Sequence, residues 1–218
     1  MEDFYKKEVG SIYTVSSIKK VELLNSNWLD SLSNPTSTKN MFAFCQNLAN
    51  IKFIGVDTSN ITDMSDMFFY CNKLKKLDLK SFNTSNVTNM CEMFGCCYHL
   101  EEINLSSFNT SKVTDMQFMF SQCRRLETLD LSSFDISNVE NMDCMFEGCT
   151  NLLELDVSNF IINDNNKETG ADMFRNCVNL YTIKCKQSFK DWCLENSDFI
   201  CLPEIMLEDG DGVWEIVD

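Results

Sequence analysis

The most reactive side chains in this sequence belong to twelve cysteines. Six of them recur at a constant spacing, apart from one slightly longer gap before the last. Thiolates bind metals, form disulfides or act as nucleophiles. Because the sequence has no CxxC pair and a single histidine, His99, a zinc site is not indicated. A regular stack also offers poor disulfide geometry between neighbouring units. We therefore expect a ladder of reduced, buried thiols, formed by Cys45, Cys71, Cys97, Cys123, Cys149 and Cys177.

Carboxylates are the second group that could do chemistry, since paired carboxylates serve as general acid and base. Asp78, Asn104, Asp130 and Asp156 occupy one recurring position in the sequence. A regular row gives each member a similar environment, whereas an acid/base pair needs unlike environments. The sequence also has no Gly-rich phosphate loop and no GxSxG motif. We predict no enzyme active site, no cofactor and no metal site.

These recurring residues belong to a 26-residue repeat, which is clearest in the segments that begin at Leu74, Leu100 and Leu126. Each unit opens with LxxLxL, continues with a Phe and a polar turn, and ends with MxxMFxxC. The first part predicts a short strand with one buried face, and the last part predicts a short helical or 3₁₀ turn. One unit cannot bury its apolar residues alone, so the units must stack and join their strands into one parallel sheet. We predict about six repeats over residues 41–186.

A solenoid needs caps, because its terminal units would otherwise expose core residues. Residues 1–40 are predicted to form a mainly helical N-terminal cap. Residues 187–218 are predicted to form an acidic C-terminal cap, with a short helix in SFKDWCLENS and a hairpin of two strands in DFICLPEIM and GVWEIVD. The apolar face of the N-terminal helix would consist of Val21, Leu23, Leu24, Trp28, Leu29 and Leu32.

The chain is strongly acidic, with a formal net charge of −15, and nine acids but no Lys or Arg follow from Asp191 onward. This charge argues against direct nucleic-acid binding and against anionic membranes. The sequence has no apolar run long enough to span a bilayer and no recognisable signal peptide. We expect a cytoplasmic protein, or a cell-surface protein if an export signal has been removed.

The pattern LDLSSFDxSNVxxMxxMFxxCxxL resembles the BspA-type leucine-rich repeat over roughly residues 40 to 185. The resemblance implies a right-handed superhelix with a parallel sheet along one side, which we classify as an α/β repeat solenoid. It also implies a protein without catalytic activity, since members of that family are mostly adhesins or binding proteins.

We interpret the chain as a non-enzymatic binding module that engages a basic protein partner through the solenoid face. One alternative is an acidic intracellular inhibitor that mimics nucleic acid, such as a phage-encoded inhibitor of a CRISPR or restriction nuclease. A further alternative is a surface adhesin. A monomer is the simplest expectation, although the sequence leaves the oligomeric state open. The candidate partner-binding residues are Asp78, Glu101, Glu102, Asn104, Glu127, Asp130, Glu154, Asp156, Tyr181, Glu208, Asp209 and Asp211.

Overall fold

The computed structural model describes residues 19–24, 36–207 and 210–217 of the 218-residue chain. In chain order its strands are β1 (Lys20–Leu24), β2 (Asn50–Ile54), β3 (Lys76–Asp78), β4 (Glu102–Asn104), β5 (Thr128–Asp130), β6 (Glu154–Val157), β7 (Thr182–Cys185) and β8 (Val213–Ile216). Helix α1 (Gln187–Glu195) and a 3₁₀ helix (Glu204–Met206) lie between β7 and β8. Within these ranges, no helix has the length and apolar character needed to cross a membrane.

All strand pairs are parallel. In the pairs β3–β4, β5–β6 and β6–β7, each residue lies beside the equivalent residue of the next repeat. Leu77 lies beside Ile103, the equivalent residue of the next repeat. Leu155 likewise lies beside Ile183, so the two-residue insertion is absorbed before β7. The strands form three hydrogen-bonded groups, β1–β2, β3–β4 and β5–β8, instead of one continuous sheet. The chain is thus a parallel-strand β-solenoid of about six turns, and each turn is called a rung below.

The central strands are short, and their alternate residues are apolar and buried. In β3 and β5 the central leucines, Leu77 and Leu129, are buried between exposed neighbours. The Phe that follows each strand is also buried, as predicted, at Phe82, Phe108, Phe134 and Phe160. Each strand therefore contributes one face to the core and leaves the other in solvent.

The MxxMFxxC segments do not form helices. The N–H groups of Asp66, Phe68 and Tyr70 donate to carbonyls of the next rung at 2.8–2.9 Å. Between them, the N–H groups of Met67 and Phe69 donate to carbonyls three positions earlier in the chain. Positive φ angles at Asp66 and Tyr70, 57° and 61°, exclude a continuous helix, which needs negative φ throughout. The α-helical alternative of the prediction was therefore wrong. The bonds to carbonyls three positions earlier agree with the 3₁₀ alternative.

The core behind these turns is a stack of rings and thiols. The Phe of each MxxMFxxC segment is buried and stacks on the equivalent Phe of the next rung. The centroids of neighbouring rings are 5.4–6.0 Å apart along Phe42, Phe68, Phe94, Phe120, Phe146 and Phe174. The thiol of Cys97 donates to the Phe68 carbonyl at 3.2 Å, and that of Cys123 donates to the Phe94 carbonyl at 3.2 Å. All twelve cysteines lie in the described ranges, and none is in a disulfide.

The thiol ladder predicts which cysteines react with alkylating agents. Burial raises the pKa of Cys97 to about 12, and thiolates, not thiols, are the reactive species. Native protein treated with iodoacetamide should therefore acquire no more than four adducts by intact-mass spectrometry, at the four cysteines that are only half-buried. These are Cys91, Cys96, Cys144 and Cys201. Denatured protein is the control and should be modified at all twelve. Fast native labelling of Cys97 or Cys123 would contradict the stack.

The N-terminal cap is not helical where the structure describes it. Residues Lys20–Leu24 form β1, which pairs with β2 over five residue pairs. A strand satisfies the free backbone groups along the edge of β2, which a helix cannot do. Val21 packs against the core from this strand. The other part of the predicted helix, including Trp28, Leu29 and Leu32, lies outside the described residues.

The C-terminal cap contains the predicted helix, as α1, and the last predicted strand, as β8. The predicted hairpin was wrong, since β8 pairs in parallel with β7 and extends the solenoid. The segment DFICLPEIM contains no strand, because it continues the ladder of turns: the N–H groups of Asp172 and Phe174 donate to the carbonyls of Phe199 and Ile200. Pro203 then precedes the 3₁₀ helix.

Candidate functional site

The predicted row of acidic and amide side chains lies on the exposed face of the sheet. Asp78 lies beside Asn104 and Asp130 lies beside Asp156 in the strand register, and Lys184 follows Asp156. Alternation places these side chains on the surface, since the leucines between them point inward. We call this surface the sheet face.

This row also makes the turn that ends each strand. A side-chain oxygen of Asp78 accepts the N–H of Lys80 at 3.1 Å, and Asp130 accepts that of Ser132 at 2.9 Å. The bond from Lys80 lowers the pKa of the Asp78 carboxyl. Asn104 and Asp156 make equivalent bonds to the residues two positions on. Asp and Asn recur here because their side chains stabilise a turn, and each Asp still presents its negative charge to solvent.

Several acids of the sheet face form ion pairs with nearby lysines. Lys75 pairs with Glu101 at 3.1 Å, and Lys76 pairs with Glu102. Asp156 pairs with Lys184 at 2.8 Å. Burial raises the pKa of Asp156, but hydrogen bonds from Lys184 and Ser158 outweigh that effect and leave it below its usual value. Asp78 likewise contacts Lys80 at 3.2 Å.

On the sheet face, three predicted acids have no ion pair within the described ranges, namely Glu127, Asp130 and Glu154. All three are exposed. Glu127 directly precedes β5, Asp130 ends β5, and Glu154 begins β6 opposite Thr128. Beside them lie two exposed apolar side chains, Leu153 at 44% and Tyr181 at 42% exposure. The N–H of Tyr181 donates to the carbonyl of Leu153 at 2.9 Å, so the two side chains occupy equivalent places in successive rungs. Negative and apolar groups are thus combined on one surface.

The remaining predicted residues do not join this cluster. Asp211 is exposed between the 3₁₀ helix and β8. Glu208 and Asp209 lie outside the described residues. Near the N-terminal end of the sheet face, a groove of about 580 Å³ is lined by basic residues and a histidine, namely Lys73, Lys75, Lys76 and His99. Nδ1 of His99 lies 2.6 Å from the Asn72 carbonyl oxygen, which orients the ring.

A second group of acids lies on the opposite surface, formed by the turn segments, which we call the turn face. Asp66 and Glu92 directly precede the second Met of their MxxMF segments, and both have a positive φ. Glu147 lies two rungs beyond Glu92. These residues were not among the predicted ones. Comparing the repeats column by column would have shown Asp66 and Glu92, because their column holds Asn40, Asp66, Glu92, Phe118, Cys144 and Asp172.

Glu92 is in an unfavourable environment for a carboxylate. Burial and the nearby charge of Asp66 raise its pKa. Burial also raises the pKa of Asp66, and the nearby Lys39 opposes that change. Neither Glu92 nor Glu147 has an ion pair in the part of the chain that the structure describes.

A metal ion would need several of these side chains close together. Among the residues that the structure describes, no group of three or more His, Cys, Asp or Glu side chains is arranged to hold one. The buried thiols are separated into successive rungs, and those of Cys71, Cys97 and Cys123 each bond to a carbonyl.

Regular rungs, a buried stack and chemically varied exposed faces together define a repeat β-solenoid protein. The chain belongs to the family described as "Mycoplasma protein of unknown function, DUF285", which matches residues 36–160 and 77–192. This membership and the solenoid agree in broad terms with the BspA-type resemblance. No curated protein matches the chain.

Proposed function

We propose that this protein is a non-enzymatic binding module that engages a basic protein partner through the sheet face. The observation that carries the proposal is the cluster of unpaired acids, Glu127, Asp130 and Glu154, beside the exposed Leu153 and Tyr181. A lysine- or arginine-rich partner would neutralise these charges, and its apolar groups would cover the exposed leucine and tyrosine. Complementary charge speeds encounter and selects partners, while apolar contact supplies affinity.

We propose that the rungs are BspA-type leucine-rich repeats wound into a right-handed superhelix. We also propose a cytoplasmic location, with the cell surface as the alternative, and a monomer. An experimental structure and the coding sequence upstream of the chain would test these points.

The binding proposal is tested by charge reversal on the sheet face. The triple variant Glu127→Lys, Asp130→Lys, Glu154→Lys should lose a basic protein that the unchanged chain retains from a lysate of its source organism at low salt. The matched control is Glu140→Lys, Glu168→Lys, Glu195→Lys, which changes the net charge equally at exposed positions elsewhere. Mass spectrometry of the retained proteins is the measurement, with folding of each variant checked by circular dichroism.

Three outcomes separate the candidate functions. Loss of a basic partner from the sheet-face variant alone supports the proposal. Equal loss from both variants shows non-specific attraction to net charge and overturns it, as does failure to retain any basic protein at low salt. Retention of a nuclease, with restored cleavage in the presence of the sheet-face variant, would favour mimicry of nucleic acid instead.

A further inference from the structure

The turn face contains a cleft of about 290 Å³ that the repeat pattern does not predict. Its walls include Phe69 and Phe118, and Gly95 lies between them. A Cβ at Gly95 would lie 3.1 Å from Cδ2 of Phe69, so a larger residue here would require the Phe69 ring to shift by a few tenths of an ångström. The other lining residues are Glu92, Cys96, Ser121, Gln122 and Glu147.

We propose that this cleft binds the guanidinium group of an arginine side chain from a partner protein. A guanidinium is planar and stacks on aromatic faces, and its N–H groups pair with carboxylates. Phe69 and Phe118 supply the aromatic surfaces, while Glu92 and Glu147 supply negative charge without a cation of their own in the described residues. The site lies away from the sheet face and does not rest on the function proposed above.

The same surface already holds one guanidinium by this chemistry. Arg124 lies over the ring of Tyr98, 4.7 Å from its centroid. Its Nε and Nη2 donate to Oε1 of Gln122 at 3.0 and 2.8 Å. Because Gln122 also lines the cleft, Arg124 marks the edge of the site. Its guanidinium forms no ion pair with Glu92 or Glu147, so those carboxylates remain available to a second cation.

Two residues of the cleft adopt the left-handed conformation that recurs in the turns of successive rungs. Phe118 has a φ of 54°, in the left-handed region where Asn, Asp and Gly are favoured and a bulky side chain is an outlier. Glu92 has the same conformation, with a φ of 54°, and is partly desolvated near Asp66. A bound guanidinium would contact the Phe118 ring and neutralise Glu92.

The probe for this site is N-acetyl-arginine amide, added to protein in which only glycine carries ¹⁵N. Gly95 is one of seven glycines, and its amide resonance reports on the cleft. We expect a saturable shift at Gly95 with the arginine probe. The neutral isostere N-acetyl-citrulline amide should bind about tenfold more weakly, because it lacks the charge that the carboxylates and rings recognise. N-acetyl-lysine amide tests the preference for a planar cation and should also bind more weakly.

Substitutions identify the groups responsible. Glu92→Gln and Glu147→Gln should each weaken the arginine probe about tenfold, the effect of losing one charge-assisted bond. Glu204→Gln is the matched control at an exposed position of the 3₁₀ helix and should leave binding unchanged. Glu92→Gln should also raise the free energy of unfolding at neutral pH, since it removes a desolvated charge near Asp66. A residue kept only for the fold would not give this combination of higher stability and weaker binding.

The proposal is overturned if Gly95 shows no saturable shift, if the citrulline probe binds as tightly as the arginine probe, or if Glu204→Gln weakens binding as much as Glu92→Gln. Equal binding of the lysine and arginine probes would overturn the assignment to guanidinium. These results are independent of the sheet-face experiment, because the probe is a small molecule and the two sets of variants do not overlap.

Discussion

Replacing Phe120 with alanine is expected to lower the free energy of unfolding by about 3–5 kcal/mol, the usual cost of removing a fully buried aromatic side chain. Phe120 is completely buried, and its ring stacks between Phe94 at 5.4 Å and Phe146 at 6.0 Å. The alanine would leave a cavity in the middle of the stack. Because each rung is stabilised mainly by its neighbours, the loss weakens contacts on both sides of the rung.

Urea denaturation followed by circular dichroism measures this change. Phe199→Ala is the control, since Phe199 is 46% exposed and its substitution should change stability by less than about 1 kcal/mol. If Phe120→Ala were as stable as Phe199→Ala, the central stack would contribute little to the fold, contrary to our interpretation.

Thr84→Val should lower the free energy of unfolding by about 1–3 kcal/mol, although the two side chains have nearly the same shape. The Thr84 hydroxyl donates to the Asn109 carbonyl at 2.9 Å and accepts the Asn109 N–H at 2.8 Å. It therefore completes the hydrogen bonds between two rungs where no strand is present. Valine removes both bonds and leaves the two backbone groups of Asn109 without these partners.

Thr88→Val in the same rung is the matched control. Its hydroxyl is exposed and donates to the Thr62 carbonyl at 3.1 Å, where water can replace it. We expect a change within about 0.5 kcal/mol for this variant. Equal effects of the two substitutions in thermal unfolding would mean that the buried hydroxyl has no special role in joining the rungs.

The charged surfaces illustrate how much of a site can be predicted from sequence. The position of Asp78, Asn104, Asp130 and Asp156 in one row follows directly from their recurrence at a strand position, and the strand register places Asp78 beside Asn104 and Asp130 beside Asp156. Which acids carry an unbalanced charge does not follow, because ion pairs such as Lys75–Glu101 depend on side-chain conformations between rungs. The cleft around Gly95 was not predicted, since it depends on the Phe69 ring crossing from one rung to the next.

The amino-acid pattern was sufficient to predict the repeat length, the parallel stacking and the identity of the core. These depend on the period and apolarity of single columns, such as the buried Phe and Cys of each unit, and that information is local. The pattern was also sufficient for α1, whose buried residues are Phe189, Trp192 and Cys193.

The partners of the backbone groups in each rung depend instead on contacts between rungs. Residues 20–24 fit both a helix and a strand by pattern, and the free edge of β2 favoured β1. The MxxMFxxC segments have helical spacing, but bonds to the next rung required positive φ at Asp66 and Tyr70 and prevented a helix. Residues 213–216 became a further parallel strand, because β7 offered an unpaired edge. Hydrogen bonds between rungs join residues that lie a whole repeat apart in the chain, so local pattern could not anticipate them.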